Sequence, residues 1–259
     1  MPTAAIQRSV EILLLIGSAL VAAKLYRNGL WRRYRVFFAY FVFRVPNSIW
    51  PLLVTTGSPV YFWLWLITSP VCVVFYVLVV AELYRLILAK YHGLETLGRW
   101  AMYAATAGSV MISGLALLPH FTPAMPQLSR VLGYEYALER GIDFSLVVFI
   151  LLLLGFLSRF PISLSRNVVA HAAIFSLYFL TATLGLLLHA LWGKKLSAEV
   201  NLFLSGASLV CVAAWLWLLK PAGETIPARI PVFGSGDEQR ILLQLDTVNA
   251  ALLRASRKI

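Results

Sequence analysis

Between residues 6 and 219 the chain returns repeatedly to apolar runs about twenty residues long, the length that crosses a bilayer core as a helix. A backbone in hydrocarbon has to satisfy its own N–H and C=O groups, which leaves helices or a closed barrel. Barrel strands alternate polar and apolar residues, and runs such as 147–156 (VVFILLLLGF) do not. The expected fold is therefore all-α, a polytopic transmembrane helical bundle. Charged residues make up 13% of the chain and hydrophobic ones 60%, against about 25% charged in soluble domains. The whole chain, and not a single anchor, is built for lipid.

Seven spans are expected, over 6–26, 36–55, 60–89, 99–118, 141–158, 167–191 and 200–219. The first lacks the basic start, short apolar core and small-residue cleavage site of a signal peptide, so it is expected to persist as a helix. The second is interrupted by Arg44, Pro46, Asn47 and Ser48. Lysine and arginine concentrate on the cytoplasmic side of membrane helices. Lys24, Arg27, Arg32, Arg33 and Arg35 crowd the first connection, Arg85, Lys90 and Arg99 the third, Arg159 and Arg166 the fifth, and Lys220 with five further basic residues the tail. The N-terminus is accordingly expected outside and the C-terminus in the cytoplasm, in the inner membrane of a prokaryote. The net charge of +11 is explained by this bias, and no nucleic-acid partner is called for. The two cysteines, Cys72 and Cys211, lie inside apolar runs and imply neither a disulfide framework nor a metal cluster.

Residues 1–220 form the expected transmembrane domain, 221–236, rich in proline and glycine, a linker, and 237–258 a cytoplasmic amphipathic helix. Ile241, Leu245, Val248 and Leu252 recur at helical spacing on that last segment. Such a stripe suits the membrane surface, the bundle, a second copy of the chain or a cytoplasmic partner. Stretches of small residues, at 17–19, 104–109 and 205–208, mark places where helices can approach closely.

Charge inside a span is costly and for that reason points to function. Arg44 lies ~12 Å in from Val36, and Glu82 a similar ~12 Å in from Lys90, at the helical rise. Equal depth on antiparallel neighbours predicts an Arg44–Glu82 ion pair. Pro46 is expected to open the backbone beside Asn47 and Ser48, where a ligand or ion could bind, and His171 is placed to join this layer as a titrating group. A second group, Glu11, Glu139, Asp143 and Asn201, clusters near the outer span ends as a polar cup. His171 and His189 share one helix face, but His92 and His120 sit in loop-like contexts, so paired haem ligation is not expected and no cofactor is implied.

No lysine falls within 200–219, which leaves a retinal Schiff base no attachment there, and no G-x-S-x-G, H-E-x-x-H or P-loop occurs. The layout resembles sugar transporters of the SWEET type, three spans, one linker span and three spans, although the halves share little sequence and the paired Pro-Gln helix motif is missing. In topology alone it is similar to the membrane input regions of bacterial sensor proteins. The expected function is a non-enzymatic seven-helix sensor or scaffold that relays to a cytoplasmic partner through its tail. The alternative is a small-solute or ion transporter using the Pro46–Asn47 break and the Arg44/Glu82 layer.

Overall fold

The computed structural model describes residues 2–55, 58–88, 164–192, 197–225 and 227–228, with short pieces or single positions within 96–111, 138–155 and 243–254. Five long helices organise them: α1 (Pro2–Arg27), α2 (Arg35–Leu53), α3 (Pro59–Ile87), α4 (Arg166–Trp192) and α5 (Ser197–Leu218). All five are long and apolar enough to cross a membrane. They correspond to five of the seven expected spans. The fourth and fifth expected spans fall on stretches described only in part, and the described positions there, such as 100–105 and 141–146, are helical.

Local chemistry sets the helix ends. Gly29 turns the chain between α1 and α2 at φ 69°, a left-handed conformation that any Cβ would strain. Ser58 caps α3 by accepting the Tyr61 N–H at 3.1 Å, with Pro59 in the first helical position.

Contacts along the helices give their directions. Gln7 Nε2 donates to Ser205 Oγ at 3.2 Å, Gly17 lies against Val212, and Lys24 Nζ donates to the Leu216 carbonyl, so α1 and α5 run parallel. A Cβ on Gly17 would fall 2.7 Å from the Val212 side chain. That is the close approach expected of this small-residue stretch, whereas a Cβ on Gly108 or Gly206 would meet nothing within 4 Å. Gly185 admits Leu204 and Asn167 meets Lys220, so α4 and α5 are antiparallel. Large apolar side chains such as Leu13, Leu20, Val60, Ile67, Leu180 and Val210 point outward, as lipid contact requires.

At the end where Arg27, Arg35 and Arg166 lie, here called the basic end, an aromatic core packs Phe37, Phe41, Phe175 and Trp215 in edge-on contacts, with ring centroids 4.9–5.7 Å apart. Beside it, Pro221–Glu224 forms a 3-10 turn and Pro227–Ala228 pairs antiparallel with Leu164–Ser165. The start of the expected linker is thus held against the bundle. The stripe residues Ile241, Leu245, Val248 and Leu252 lie outside the described residues.

Glu82 has a different role from the expected one. Its carboxylate accepts the Val36 and Phe37 backbone N–H groups, both at 3.0 Å, and so caps α2 from the neighbouring helix. Tyr34, at the N-cap position, provides no side-chain cap of its own. Arg44 lies two turns farther along and bonds elsewhere, so the Arg44–Glu82 ion pair does not form. Counting inward from Lys90 misplaced the carboxylate, because α3 already ends at Ile87 and its Glu82 turn faces the first turn of α2. Hydrogen bonds to a charged group contribute about 1.5–3 kcal/mol each. Glu82→Ala is expected to destabilise the protein by at least about that amount in reversible detergent unfolding. Arg44→Met should not relieve the loss, since sites more than about 7–10 Å apart add independently.

Candidate functional site

Arg44 enters the bundle from α2 and finds a tyrosine. Its Nη1 donates to Tyr40 Oη at 2.7 Å, and its guanidinium lies 5.7 Å from the centre of the same ring. Tyr40 packs on Tyr76 of α3 with centroids 5.7 Å apart, and Tyr76 Oη shares a 2.7 Å hydrogen bond with Tyr178 Oη of α4. A tyrosine hydroxyl deep in an apolar bundle needs a partner, and these three side chains form a ladder from Arg44 across α2, α3 and α4. Arg44 also interacts electrostatically with Tyr76 and Tyr178.

Beyond Tyr178 the ladder opens on a cleft of about 160 Å³ lined by Glu139, Asp143, Tyr178, Thr181 and Ser208, with Ala182, Leu204 and Ala207 as its apolar wall. Glu139 and Asp143 stand one helical turn apart. Asp143 is only 1% exposed, and its Oδ1 has no hydrogen-bond partner. Thr181 Oγ1 donates back to the Leu177 carbonyl at 2.7 Å, which leaves its lone pairs for the cleft. Half of the expected polar cup is therefore brought together. Glu11 is instead occupied by Gln7 Nε2 at 2.9 Å, and Asn201 is exposed near the start of α5.

The expected break at Pro46 is not found. α2 continues from Arg35 to Leu53 through both Pro46 and Pro51. Neighbouring side chains are satisfied within the helix and against α3: Trp50 Nε1 donates to Asn47 Oδ1 at 2.9 Å, Asn47 Nδ2 donates to Cys72 Sγ at 3.5 Å, and Ser48 Oγ donates to the Arg44 carbonyl at 2.9 Å. Side chains can re-satisfy a helix at proline without opening it. His171 does not join Arg44 or Glu82. Its ring is caged by Phe37, Phe175 and Tyr34 at 4.2, 4.8 and 5.4 Å between centroids, so it packs as a core residue of α4. His189 side-chain placement and the loop histidines His92 and His120 lie outside the described residues. Among the described residues no three His, Cys, Asp or Glu side chains gather as a metal site would need.

A second polar assembly, which sequence reasoning missed, sits at the basic end. Glu224 pairs with Arg33 Nε at 2.9 Å and accepts from Tyr34 Oη and Asn167 Nδ2, both at 2.7 Å. Asn167 also bonds the Lys220 carbonyl at 2.8 Å, and Gly223 lies so close that a Cβ would fall 2.1 Å from Asn167 Oδ1. Burial and the Glu224 carboxylate push the Tyr34 phenol well above its ordinary value, so it remains a neutral donor. The signal was faint, an acid within a proline-glycine stretch. No known protein family, curated protein or solved structure matches this chain significantly.

The ladder makes a specific prediction about its central bond. Tyr76→Phe or Tyr178→Phe strands the other hydroxyl and should destabilise by about 1–3 kcal/mol. The double variant should lose clearly less than the sum of the two, measured by equilibrium unfolding in mixed micelles. Strict additivity would show that the two hydroxyls are not coupled.

Proposed function

We propose that the chain is a seven-span integral protein of a prokaryotic inner membrane, N-terminus outside and C-terminus in the cytoplasm. In this reading it is a non-enzymatic sensor that binds a small ligand in the Asp143 cleft and relays occupancy to its cytoplasmic tail. The five apolar helices and their lipid-facing side chains support the membrane setting. The span count draws support from direction. α3 ends and α4 begins at the basic end, which favours an even number of crossings between them. Phe149 packs 5.1 Å from Tyr84, near the basic end of α3, while Asp143 joins Tyr178 and Thr181 farther along α4. The described positions of 138–151 run toward the basic end on this reading, which supports a return span over 96–111 before them. The lysine and arginine bias makes that end cytoplasmic.

The observation that carries the sensor reading is that α4 belongs to both polar assemblies. Tyr178 and Thr181 line the cleft, and Asn167, at the foot of the same helix, holds Glu224 and the Lys220 carbonyl. A shift of α4 on ligand binding would be felt where the chain leaves the bundle for the tail. The stripe of Ile241, Leu245, Val248 and Leu252 is then the surface offered to a cytoplasmic partner. Transport through the Pro46–Asn47 region has less to recommend it, because α2 is continuous and Asn47 is internally bonded.

Reporter fusions after residues 57, 93, 122, 160, 193 and 223 are expected to read outside, inside, outside, inside, outside and inside. A cytoplasmic reading at 122 would reduce the count to five. For the relay, Ser208→Leu fills the cleft from α5 without touching Asn167. It is expected to change amide exchange over 221–225 by about fivefold or more, the lower end of ordinary coupling between sites. Unchanged exchange there, with the fold intact, would remove the relay.

A further inference from the structure

The cleft holds a buried acid, Asp143, with an oxygen that no donor meets. Glu139 and Asp143 face the cleft one turn apart, and like charges at that spacing repel. An isolated carboxylate away from water is costly unless a proton or a cation neutralises it. The remaining polar wall, Tyr178, Thr181 and Ser208, consists of hydroxyls that can accept N–H hydrogen bonds, and the opposite wall of Ala182, Leu204 and Ala207 is apolar. The space, about 160 Å³, compares with an apolar cavity of about 150 Å³ that holds benzene, some six heavy atoms. A bare alkali ion would leave most of it empty, and two carboxylates fall short of the ligand set that a divalent metal prefers.

We propose that this cleft is a binding site for a small organic cation, a primary ammonium group seated on Asp143 with a short alkyl body against Leu204 and Ala207. The ammonium donates to Asp143 Oδ1 and to the hydroxyls of Thr181 and Ser208. This assignment rests on the sensor reading for its purpose but not for its chemistry.

The test uses the full chain in nanodiscs with n-butylammonium chloride as the probe, and with sodium chloride and 1-butanol as controls for charge alone and for the alkyl body alone. Butylammonium should raise the melting temperature saturably and slow amide exchange over 141–146, 178–182 and 204–208, with neither control doing so. Asp143→Asn should weaken the binding at least tenfold. Ser208→Leu, which fills the cleft from α5 and leaves both acids in place, should abolish it, so the outcome does not depend on the Asp143 variant folding. No saturable effect of butylammonium, an equal effect of sodium chloride, or binding that survives Ser208→Leu would overturn the site. Protection of the cleft with unchanged exchange over 221–225 would uphold the cation site and dismiss the relay, so the two ideas fail separately.

Discussion

The first turn of α2 has backbone N–H groups with no partner inside their own helix, and two of them are taken by the carboxylate of Glu82 on α3. That arrangement does more than cap a helix. It sets how α2 lies along α3. With Val36 opposite Glu82, an antiparallel register brings Tyr40 to Tyr76 and Asn47 to Cys72, as the ring contact and the hydrogen bond between them show. Farther on, Trp50 meets Tyr61 at 5.0 Å. An anion at a helix N-terminus is also favoured by the helix dipole. One carboxylate thus fixes the register on which the tyrosine ladder depends.

Among the described residues, two polar assemblies each join three parts of the bundle. The ladder links α2, α3 and α4. The Glu224 assembly links the α1–α2 connection, the foot of α4 and the chain leaving α5. Between them the contacts are aromatic and aliphatic, and between such surfaces lipid supplies no hydrophobic drive to associate. Packing therefore depends on close approach, as at Gly17 against Val212, and on these few polar ties to make one arrangement preferred over its neighbours.

The helical class and the five described spans were legible because unbroken apolar runs allow no other backbone arrangement in hydrocarbon. The pairing of charges was not. Estimating depth from the nearest charged residue assumes that Val36 and Lys90 lie level, whereas Glu82 itself faces the first turn of α2. Pro46 was over-read for a related reason: a proline removes one donor, but whether the helix opens depends on neighbours such as Ser48 that the sequence does not place. Asp143 and Glu139 stood out as acids near a span end. Tyr178, Thr181 and Ser208 did not, since hydroxyl residues within apolar runs usually bond back to their own helix, and only the tertiary fold shows which of them face a cleft. Tyr76 and Tyr178 could have drawn notice, because both lie well inside apolar runs where a phenol requires a partner.

The arrangement of α4 bears on how the two polar assemblies could communicate. Thr181 lies ~21 Å from Asn167 along the helix axis at 1.5 Å per residue, a span over which an α-helix neither stretches nor compresses appreciably. In the proposed relay, a displacement at the cleft would arrive at the basic end as a shift of α4 against the chain leaving α5, where Asn167 bonds Lys220. Tight contacts resist gradual sliding, and packed interfaces tend to move between discrete arrangements. Gly223 against Asn167 is a tight contact, where a Cβ would fall 2.1 Å from Oδ1. The aromatic cage around His171, one turn from Asn167 on the same helix, packs α4 against Phe37 of α2. A ligand that binds one position of α4 better than another biases that equilibrium by its difference in affinity and by nothing else.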